Sequence, residues 1–362
     1  MISAAFAIPG DISTPTGGYR YDREVLARVA AHGVALDHLV LPASFPSPSD
    51  GDLLRTAGAL VSLPPDRVLL ADGLAYGALP ESICASIRCP IVALVHHPLA
   101  LESGIGAMTA GHLRHSETVA LTHAAAVIAT SRVTARTLVD DYDVQSDRIT
   151  VAEPGTEPAP RATGSGGPEK LILAVGAVSH RKGYDVLMDA LGELVDLPWK
   201  LVVVGATDRD PPAYEAARRA VDRNGLEQRI GFAGSLSDEA LAGLYGRADL
   251  FVMPSRYEGY GMVLAEAMAR GLPIVATTGG AAAETVPDAA ALKVPPGNAA
   301  ELRAAIARAL GDDALLTRLA DASWAAGRKL PRWSDTARIV ASVLKRIGAD
   351  MQGKGPHEGQ VA

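Results

Sequence analysis

Two glutamates eight positions apart, Glu258 and Glu266, carry the clearest chemical signal in this chain. Gly259-Tyr260-Gly261 follows the first glutamate, and a helix-compatible run carries the second. Backbone N–H groups at the start of a helix can bind a negatively charged group. Carboxylates cannot bind phosphate, but they accept hydrogen bonds from sugar hydroxyls. A loop that offers both kinds of group is suited to a nucleotide sugar.

A second charged loop contains Arg181 and Lys182, directly before Gly183. Arginine can bind an anion through two N–H groups, and lysine supplies a compact positive charge. The pair therefore suits a diphosphate, although a solvent-exposed turn would have the same composition. Near the N-terminus, Gly17 and Gly18 could let the backbone approach a phosphate. A plain strand-to-helix turn is the alternative there.

His96 and His97 come directly after the fourth predicted strand. His96 could donate to a substrate hydroxyl or line a reaction centre, and a purely structural histidine is the alternative. Glu102 is either a partner of His97 or a carboxylate favoured at a helix start. No further cluster with ligand spacing lies nearby in the sequence, so we expect no metal site.

Three further patterns carry weaker signals. Thr278-Gly279-Gly280 with Glu284 is either another loop of the same site or a turn followed by a helix. The two Asp-x-Asp triplets, at 141–143 and 208–210, can mark metal-nucleotide sites. Neither triplet follows a strand in the expected way, so we interpret both as solvent-exposed loops.

Length and composition limit the possible classes of protein. A chain of 362 residues predicts two domains, and a net charge of −7 argues against a nucleic-acid partner. Cys84 and Cys89 fit neither a zinc knuckle nor a redox pair, so we expect free thiols in a reducing compartment. The first residues predict a strand rather than a signal peptide, and no apolar run could span a bilayer. We expect a cytoplasmic protein, with peripheral membrane contact left open.

Short apolar runs alternate with helical patterns along the whole chain, which predicts two doubly wound α/β domains with parallel sheets. The predicted strands of the first half are Ala4–Ile8, Leu36–Leu41, Val68–Ala71, Ile91–Val95 and Val127–Thr130. Those of the second half are Leu171–Gly176, Lys200–Gly205, Arg229–Ala233, Leu250–Met253, Pro273–Ala276 and Ala291–Val294.

Proline and glycine clusters predict the domain boundaries. We expect an N-terminal domain over 1–157, a linker over 158–169 and a C-terminal domain over 170–330. A last helical segment spans about 333–348, and its pattern alone fits either domain. The glycine-rich, polar segment 349–362 is expected to be disordered.

Several motifs occur together in the order that is typical of one enzyme family. They are Val175-Gly176-x5-Lys182-Gly183, Val203-Val204-Gly205, the run from Ala248 to Ser255, and the E-x7-E segment from Glu258 to Glu266. With these motifs the chain resembles the retaining glycosyltransferases of family 4, which have the GT-B fold of two Rossmann-like domains facing a central cleft. The resemblance covers nearly the whole chain and is strongest from Leu171 to Val286. The first half matches through Gly17-Gly18, His96, Ser131 and Pro154-Gly155.

The resemblance implies a role for each matching residue in a C-terminal domain that binds the nucleotide sugar. Glu258 would bind hydroxyls near C3 and C4 of the donor sugar, and Glu266 would hold the ribose hydroxyls. Arg181 and Lys182 would neutralise the diphosphate leaving group. Backbone N–H groups that face the sugar and diphosphate would come from Gly259, Tyr260, Gly261, Met262 and Val263.

In the N-terminal, acceptor-binding domain, Gly17 and Gly18 would close onto the diphosphate or the acceptor, and His96 would lie beside the reacting sugar carbon. The final helix would cross back to this domain. The chain departs from the family at Ala177, where many relatives have an arginine that contacts the diphosphate. Arg181 could supply the missing cation.

The resemblance implies a retaining, metal-independent hexosyltransferase with no cofactor. The donor would be a UDP- or GDP-sugar, and the hydroxyl acceptor could be a glycan, a lipid or a small metabolite. Cell-envelope glycan, polysaccharide or glycolipid synthesis would be its setting. The alternatives are a GT-B sugar-nucleotide epimerase, a phosphorylase, or a non-catalytic sugar-nucleotide-binding protein. No cofactor lysine can be identified for a phosphorylase, and the retained Lys182, Glu258 and Glu266 favour an enzyme.

Overall fold

In a computed structural model the chain forms two compact α/β units, and the structure describes residues 1–102 and 104–352. Unit 1 comprises Met1–Gly155 and Pro331–Ala362, and unit 2 comprises Thr156–Leu330. The chain therefore leaves unit 1, completes unit 2 and then returns to unit 1.

Unit 1 contains a six-stranded sheet in the order β2-β1-β3-β4-β5-β6, with every pair of neighbours parallel. Its strands are β1 Ile2–Pro9, β2 Val34–Leu41, β3 Val68–Asp72, β4 Ile91–Val95, β5 Ala126–Ala129 and β6 Ile149–Val151. Its helices are α1 Gly17–Arg28, α2 Asp50–Val61, α3 Gly73–Tyr76, α4 Glu81–Ser86, α5 Ala107–Thr122 and α6 Arg132–Tyr142, and α14 Trp333–Gln352 follows unit 2.

Unit 2 contains a second six-stranded parallel sheet, in the order β12-β11-β10-β7-β8-β9. Its strands are β7 Lys170–Val175, β8 Trp199–Val204, β9 Ile230–Phe232, β10 Leu250–Met253, β11 Ile274–Thr277 and β12 Ala291–Val294. Its helices are α7 Tyr184–Gly192, α8 Pro211–Arg223, α9 Asp238–Arg247, α10 Met262–Ala269, α11 Ala282–Thr285, α12 Ala299–Gly311 and α13 Asp313–Gly327.

The predicted pair of doubly wound parallel sheets is confirmed. Central strands such as β3, β4, β5 and β10 are buried along their whole length, because helices cover both faces of each sheet. All eleven predicted strands form, with ends that differ by at most two residues. The sequence analysis missed β6, a three-residue edge strand that is only partly buried and so lacks a fully apolar run.

The last helix, α14, packs in unit 1 against α1. Trp333 and Leu344 are among its buried residues, and the Trp333 ring meets the Tyr21 ring of α1 edge to face at 5.9 Å. The helix runs to Gln352, four residues beyond the predicted end at 348. The rest of the segment that was expected to be disordered, 353–362, lies outside the described residues.

The segment 158–169, predicted as a linker, is hydrogen-bonded along unit 2. The backbone N–H of Ala162 donates to Arg270 O, and that of Thr163 donates to Gly246 O. The Asp249 carboxylate accepts the N–H groups of Ser165 and Leu171. These bonds hold an irregular segment against the body of unit 2.

Each sheet has one point at which the direction of strand addition reverses. In unit 1 the reversal lies between β1 and β3, and in unit 2 between β7 and β10. Ligands of open parallel sheets bind outside the carboxyl ends of the strands at such points. None of the helices in the described part of the chain combines the length and apolar character that crossing a bilayer requires.

Candidate functional site

The unit 2 site begins with an ion pair between Lys182 and Glu258. Lys182 lies in the loop after β7, and Glu258 lies in the loop after β10, so the two residues come from opposite sides of the reversal point. Lys182 Nζ is 2.6 Å from Glu258 Oε1. Arg181 joins them, with its Nη1 atom 3.4 Å from Glu258 Oε2. The structure therefore brings together three of the predicted site residues, which we call the charged trio.

The charged trio has unequal charge, since one carboxylate faces two cations. The Glu258 side chain is only 7% exposed and that of Lys182 only 12%. Burial alone would raise the pKa of Glu258, but Lys182 and then Arg181 outweigh it and bring this pKa to about 2. Glu258 is therefore ionised at neutral pH, and the trio keeps an excess of positive charge that suits an anion.

The backbone around Glu258 is fixed by the neighbouring loop after β11. The Glu258 N–H donates to Gly279 O at 3.2 Å, and the Glu258 carbonyl accepts the Ala281 N–H at 2.8 Å. Gly280 has a φ of +61°, and a Cβ atom there would lie 2.4 Å from Glu258 O. The loop from Thr278 to Glu284, which the sequence analysis left open, thus supports Glu258 through its glycines.

Further contacts hold the Arg181-Lys182 loop in place. Arg181 Nη1 donates to Tyr257 O at 3.0 Å, and the Arg256 N–H donates to Arg181 O at 2.7 Å. Arg256 also binds both carboxylate oxygens of Asp185, at 3.0 and 2.9 Å. The loops after β7 and β10 are therefore joined by side-chain and backbone bonds, so Lys182 and Glu258 are held as a preorganised pair.

The second Asp-x-Asp triplet lies in the loop before α8, as predicted, and Asp208 and Arg209 are exposed. Asp210, which is half-buried, has a further role, because its carboxylate accepts the N–H of Ala213 at the start of α8. It also accepts the N–H of His180 at 2.9 Å. The second Asp-x-Asp triplet thus supports the loop that carries Arg181 and Lys182.

Glu266 lies five residues into α10, one helical turn beyond Gly261. Its Oε2 atom accepts the Tyr245 hydroxyl at 2.9 Å, and its carbonyl accepts from Arg270. The Arg270 guanidinium stacks over the Tyr245 ring at 4.5 Å. Tyr245 and Arg270 therefore orient the carboxylate that the resemblance assigns to ribose.

Helix α10 begins at Met262, directly after Gly261, whose φ of +90° turns the chain into the helix. Because the first N–H groups of a helix have no partner within it, Met262 and Val263 can supply donors to an anion. Gly259 and Tyr260 connect Glu258 to this turn.

In unit 1, His96 follows β4 and lies next to two buried carboxyl groups. Its Nε2 atom is 3.2 Å from Asp22 Oδ1, and Asp72 ends the neighbouring strand β3. Asp22 is fully buried and Asp72 is 2% exposed. Burial and the Asp22 charge raise the pKa of Asp72 to about 7. A Cβ atom on Gly18 would lie 3.4 Å from the His96 ring, so the start of α1 packs directly against that ring.

Gly17 forms the first residue of α1, and Thr16 caps this helix by accepting the Tyr19 N–H. The two glycines therefore belong to a helix start near His96, within unit 1. Glu102 is the partner of His97, because Glu102 Oε2 lies 3.2 Å from His97 Nε2. Of the two alternatives for Glu102, a partner of His97 or a carboxylate at a helix start, this contact supports the first.

Asp22, Asp72 and His96 are also the one group of His, Cys, Asp or Glu that could hold a metal within residues 1–102 and 104–352. Their donor atoms lie within 4.8 Å of one another. Asp72 already accepts the Leu74 N–H at the start of α3, and His96 Nε2 already contacts Asp22. These contacts form a hydrogen-bonded group of Asp22, Asp72 and His96, and one proton shared by the two carboxyl groups would supply its missing donor.

Sequence reasoning missed the two buried aspartates, although signals for both were present. Asp72 stands at the end of an apolar strand and precedes Gly73, the position where ligand-binding residues of parallel sheets occur. Asp22 lies on the buried face of α1 with Tyr21 and Val25. A charged residue in that position requires a polar partner. The partner could not be identified without the fold.

The two sheets and the charged loops at their reversal points are the features of the GT-B fold. Residues 156–324 match the family model described as glycosyl transferases group 1. This match covers nearly all of unit 2.

Two curated relatives illustrate the sequence similarity. The mannosylfructose-phosphate synthase of Agrobacterium fabrum is 34% identical over 171 residues, which cover 42% of this chain and 38% of that protein. The match thus spans less than two thirds of that relative. The MMP alpha-(1->4)-mannosyltransferase of Mycolicibacterium hassiacum is 27% identical over 320 residues, which cover 84% of this chain and 76% of that protein.

Solved structures share the fold. Sucrose-phosphate synthase from Thermosynechococcus elongatus superposes with a TM-score of 0.80 and 21% identity, over 97% of this chain and all of that one. HepE from Anabaena, solved in complex with UDP and glucose, gives a TM-score of 0.77 and 19% identity, over 96% of this chain and all of that one. The family match and the relatives thus show similarity to glycosyltransferases, and the solved structures share the GT-B fold.

Proposed function

We propose that this protein is a retaining glycosyltransferase that moves a hexose from a nucleotide-diphosphate sugar to a hydroxyl acceptor. The charged trio of Arg181, Lys182 and Glu258 is the observation that carries this proposal. It combines an excess of positive charge with a buried, ionised carboxylate at the reversal point of unit 2. The excess of positive charge suits a diphosphate, and the carboxylate accepts hydrogen bonds from sugar hydroxyls.

Lys182 and Arg181 would stabilise the negative charge that develops on the diphosphate as the bond to the sugar breaks. The donors of Met262 and Val263 at the start of α10 would add to that stabilisation. Both cations are already held by Glu258, and Arg181 also by the Tyr257 carbonyl, so little reorganisation is required when the charge develops. This role requires no metal ion, and the proposal is a metal-independent enzyme without a cofactor.

Glu258 would bind the donor sugar through hydroxyl groups, while Glu266, oriented by Tyr245, would bind the ribose. A carboxylate whose pKa is about 2 is a weak base and a weak nucleophile. Glu258 is therefore poorly suited to form a covalent glycosyl-enzyme. For the retaining reaction that the family resemblance implies, we therefore propose front-face substitution, in which the leaving phosphate helps to deprotonate the incoming hydroxyl.

The donor base and sugar are open within this proposal, with UDP- and GDP-sugars as the candidates. Both curated relatives described above carry a mannosyl group in their names, and HepE was solved with UDP and glucose. We assign acceptor binding to unit 1 and the reaction to the cytoplasm, in cell-envelope glycan, polysaccharide or glycolipid synthesis. A lipid acceptor would require peripheral membrane contact.

A donor screen tests the proposal. Purified protein would be assayed with UDP-glucose, UDP-galactose, UDP-GlcNAc, GDP-mannose and the free nucleotides, by thermal shift and by slow donor hydrolysis, with and without EDTA. Proton NMR of the first-formed anomer would then report retention or inversion. We expect one donor to stabilise the protein and to be hydrolysed equally in EDTA, with retained configuration.

Matched variants make the screen specific to the site. Glu258→Gln should abolish the donor-dependent shift and hydrolysis, whereas Glu239→Gln, an exposed position on α9, should leave both unchanged. Conversion of the donor sugar without any acceptor would instead indicate an epimerase. Binding without hydrolysis or transfer in any condition would indicate a non-catalytic sugar-nucleotide-binding protein.

A further inference from the structure

Asp22 and Asp72, the two buried carboxyl groups beside His96, have no role in the donor site of unit 2. We propose that Asp22 and Asp72 are positioning residues that share one proton and hold the His96 ring in its protonated form. Nδ1–H of His96 is then available as a donor to an oxygen of the bound substrate. The involvement of substrate rests on the proposed function, whereas the protonation state of His96 does not.

One carboxylate oxygen of Asp22 lacks a hydrogen-bond donor. Asp22 Oδ1 contacts His96 Nε2, but Asp22 Oδ2 is buried and has no hydrogen-bond partner among the described residues. An unpaired carboxylate oxygen in a dry site is costly. Asp72 supplies the missing donor if it carries a proton, because its Oδ1 atom already accepts the Leu74 N–H and leaves Oδ2 for that proton.

Charge balance leads to the same assignment. Two carboxylates in such a site do not both ionise readily, so one of them keeps its proton. Burial and the nearby Asp22 charge raise the pKa of Asp72 to about 7. Burial opposes charge on His96, but the Asp22 carboxylate, 3.2 Å from Nε2, raises the pKa of the ring above its usual value. With one proton between its two carboxyl groups, the pair therefore carries one negative charge, which balances one imidazolium.

The remaining surroundings of His96 fix the ring without adding charge. The Tyr21 ring lies edge-on to the His96 ring, with 5.2 Å between the ring centroids. The Tyr21 hydroxyl donates to the Ala152 carbonyl. Thr130 donates to the backbone carbonyl of His96. Within the described ranges, Asp22 and Asp72 are the titratable groups that affect the ring, and no described group hydrogen-bonds Nδ1.

The protonation state decides what His96 can recognise. A neutral ring that donates from Nε2 to Asp22 would present Nδ1 as an acceptor, which suits removal of a proton from a hydroxyl. The protonated ring presents Nδ1–H instead. We therefore assign His96 to an oxygen acceptor on a substrate bound by unit 1, and not to general-base catalysis.

Nitrogen-15 NMR of histidine-labelled full-length protein tests this directly, with the His96 signal assigned by its loss in His96→Gln. The wild-type ring is expected to be an imidazolium at pH 7. Asp22→Asn should lower its proton affinity at least tenfold, while Asp72→Asn should keep the ring protonated. Glu102→Gln is the matched control, since Glu102 contacts His97 and should leave the His96 signal unchanged.

The titration needs neither donor nor acceptor, so it stands even if no transfer activity is found. A neutral His96 at pH 7 in the wild-type protein would overturn the proposal, as would an unchanged His96 titration in Asp22→Asn. A stoichiometric bound metal whose removal by EDTA moves the His96 signal would overturn it too. If Asp22→Asn does not fold, the titrations of the wild-type protein and of Asp72→Asn still show whether His96 is protonated at pH 7. Where transfer is measurable, Asp22→Asn should move the pH profile of kcat.

Discussion

The two units place charged groups at the same topological position but with opposite balance. In unit 2 one carboxylate meets two cations, and the pKa of Glu258 falls to about 2. In unit 1 two carboxyl groups meet one histidine, and the pKa of Asp72 rises to about 7. Parallel sheets bring loops together at one edge, and the side chains on those loops decide what the edge can bind.

The comparison also separates two ways of keeping a buried carboxyl group. Glu258 stays charged because cations compensate for the loss of water, whereas Asp72 avoids the same loss by holding a proton. The cations around Glu258 form an anion site, whereas the proton on Asp72 provides a hydrogen-bond donor. Each of the following experiments disturbs one of these solutions.

Removal of Lys182 should have the largest effect. Lys182→Met leaves the buried Glu258 without its nearest cation, and we expect a loss of about 3 kcal/mol in unfolding free energy. Urea denaturation measures this, with Lys200→Met as the control because Lys200 and its partner Glu169 are exposed. Adding Glu258→Gln should restore much of the stability but not donor binding. Equal stability of the two lysine variants would contradict a compensated pair in unit 2.

Gly280→Ala should disturb the same carboxylate through the backbone. The new Cβ atom would lie 2.4 Å from Glu258 O at a φ of +61°. We expect a destabilisation of about 2 kcal/mol and weaker donor binding. Gly234→Ala isolates the effect of conformation, since Gly234 has a φ of +66° but no atom within 4 Å of the added group. If the two variants lose the same stability, the contact with Glu258 is unimportant.

Glu117 extends the comparison to a unit 1 carboxyl group away from His96. It is 1% exposed, accepts the Leu99 N–H, and burial raises its pKa to about 8. The folded protein therefore keeps a proton that the unfolded chain releases above its usual pKa near 4.5. The stability that this proton contributes is complete below pH 4.5 and is lost as the pH rises towards 8.

Glu117→Gln should remove that dependence, because glutamine does not titrate. We expect similar stability of variant and wild type at pH 4.5, and an advantage of about 2 kcal/mol for the variant by pH 6. Urea midpoints across this range provide the measurement. Glu24→Gln on α1 serves as a control, since Glu24 pairs with Arg28 near the surface. A constant difference between Glu117→Gln and wild type would show that Glu117 is ionised in the folded state.

Tyr245→Phe should have the smallest effect. It removes the hydroxyl that donates to Glu266 but keeps the ring beneath Arg270. Loss of one hydrogen bond to a charged group is worth about 1 to 2 kcal/mol, so the donor KM should rise roughly tenfold with little change in kcat. Tyr214→Phe, whose ring packs on Phe232 in unit 2, should leave KM unchanged. An equal KM for both variants would remove Glu266 from donor binding.

The sequence was sufficient to predict the parallel sheets, because buried parallel strands are continuous apolar runs. It also pointed to Arg181, Lys182 and Glu258, which follow such runs. It could not predict that Lys182 and Glu258 contact each other, since 76 residues separate them and only the order of the strands brings them together. Asp22 comes from helix α1, Asp72 from the end of strand β3 and His96 from the loop after β4, so their contacts also depend on strand order.

The route of the chain has a consequence for biosynthesis. Gly155, the last residue before the chain enters unit 2, packs so closely on Trp333 that a Cβ atom would lie 2.1 Å from the Trp333 N atom. Unit 2 is one continuous stretch and can fold as soon as residue 330 has left the ribosome. Unit 1 must wait for α14, and until then the face of α1 that carries Tyr21, beside Asp22, lacks its cover. A chain truncated after Leu330 should therefore expose unit 1 to chaperones while unit 2 is protected from proteolysis.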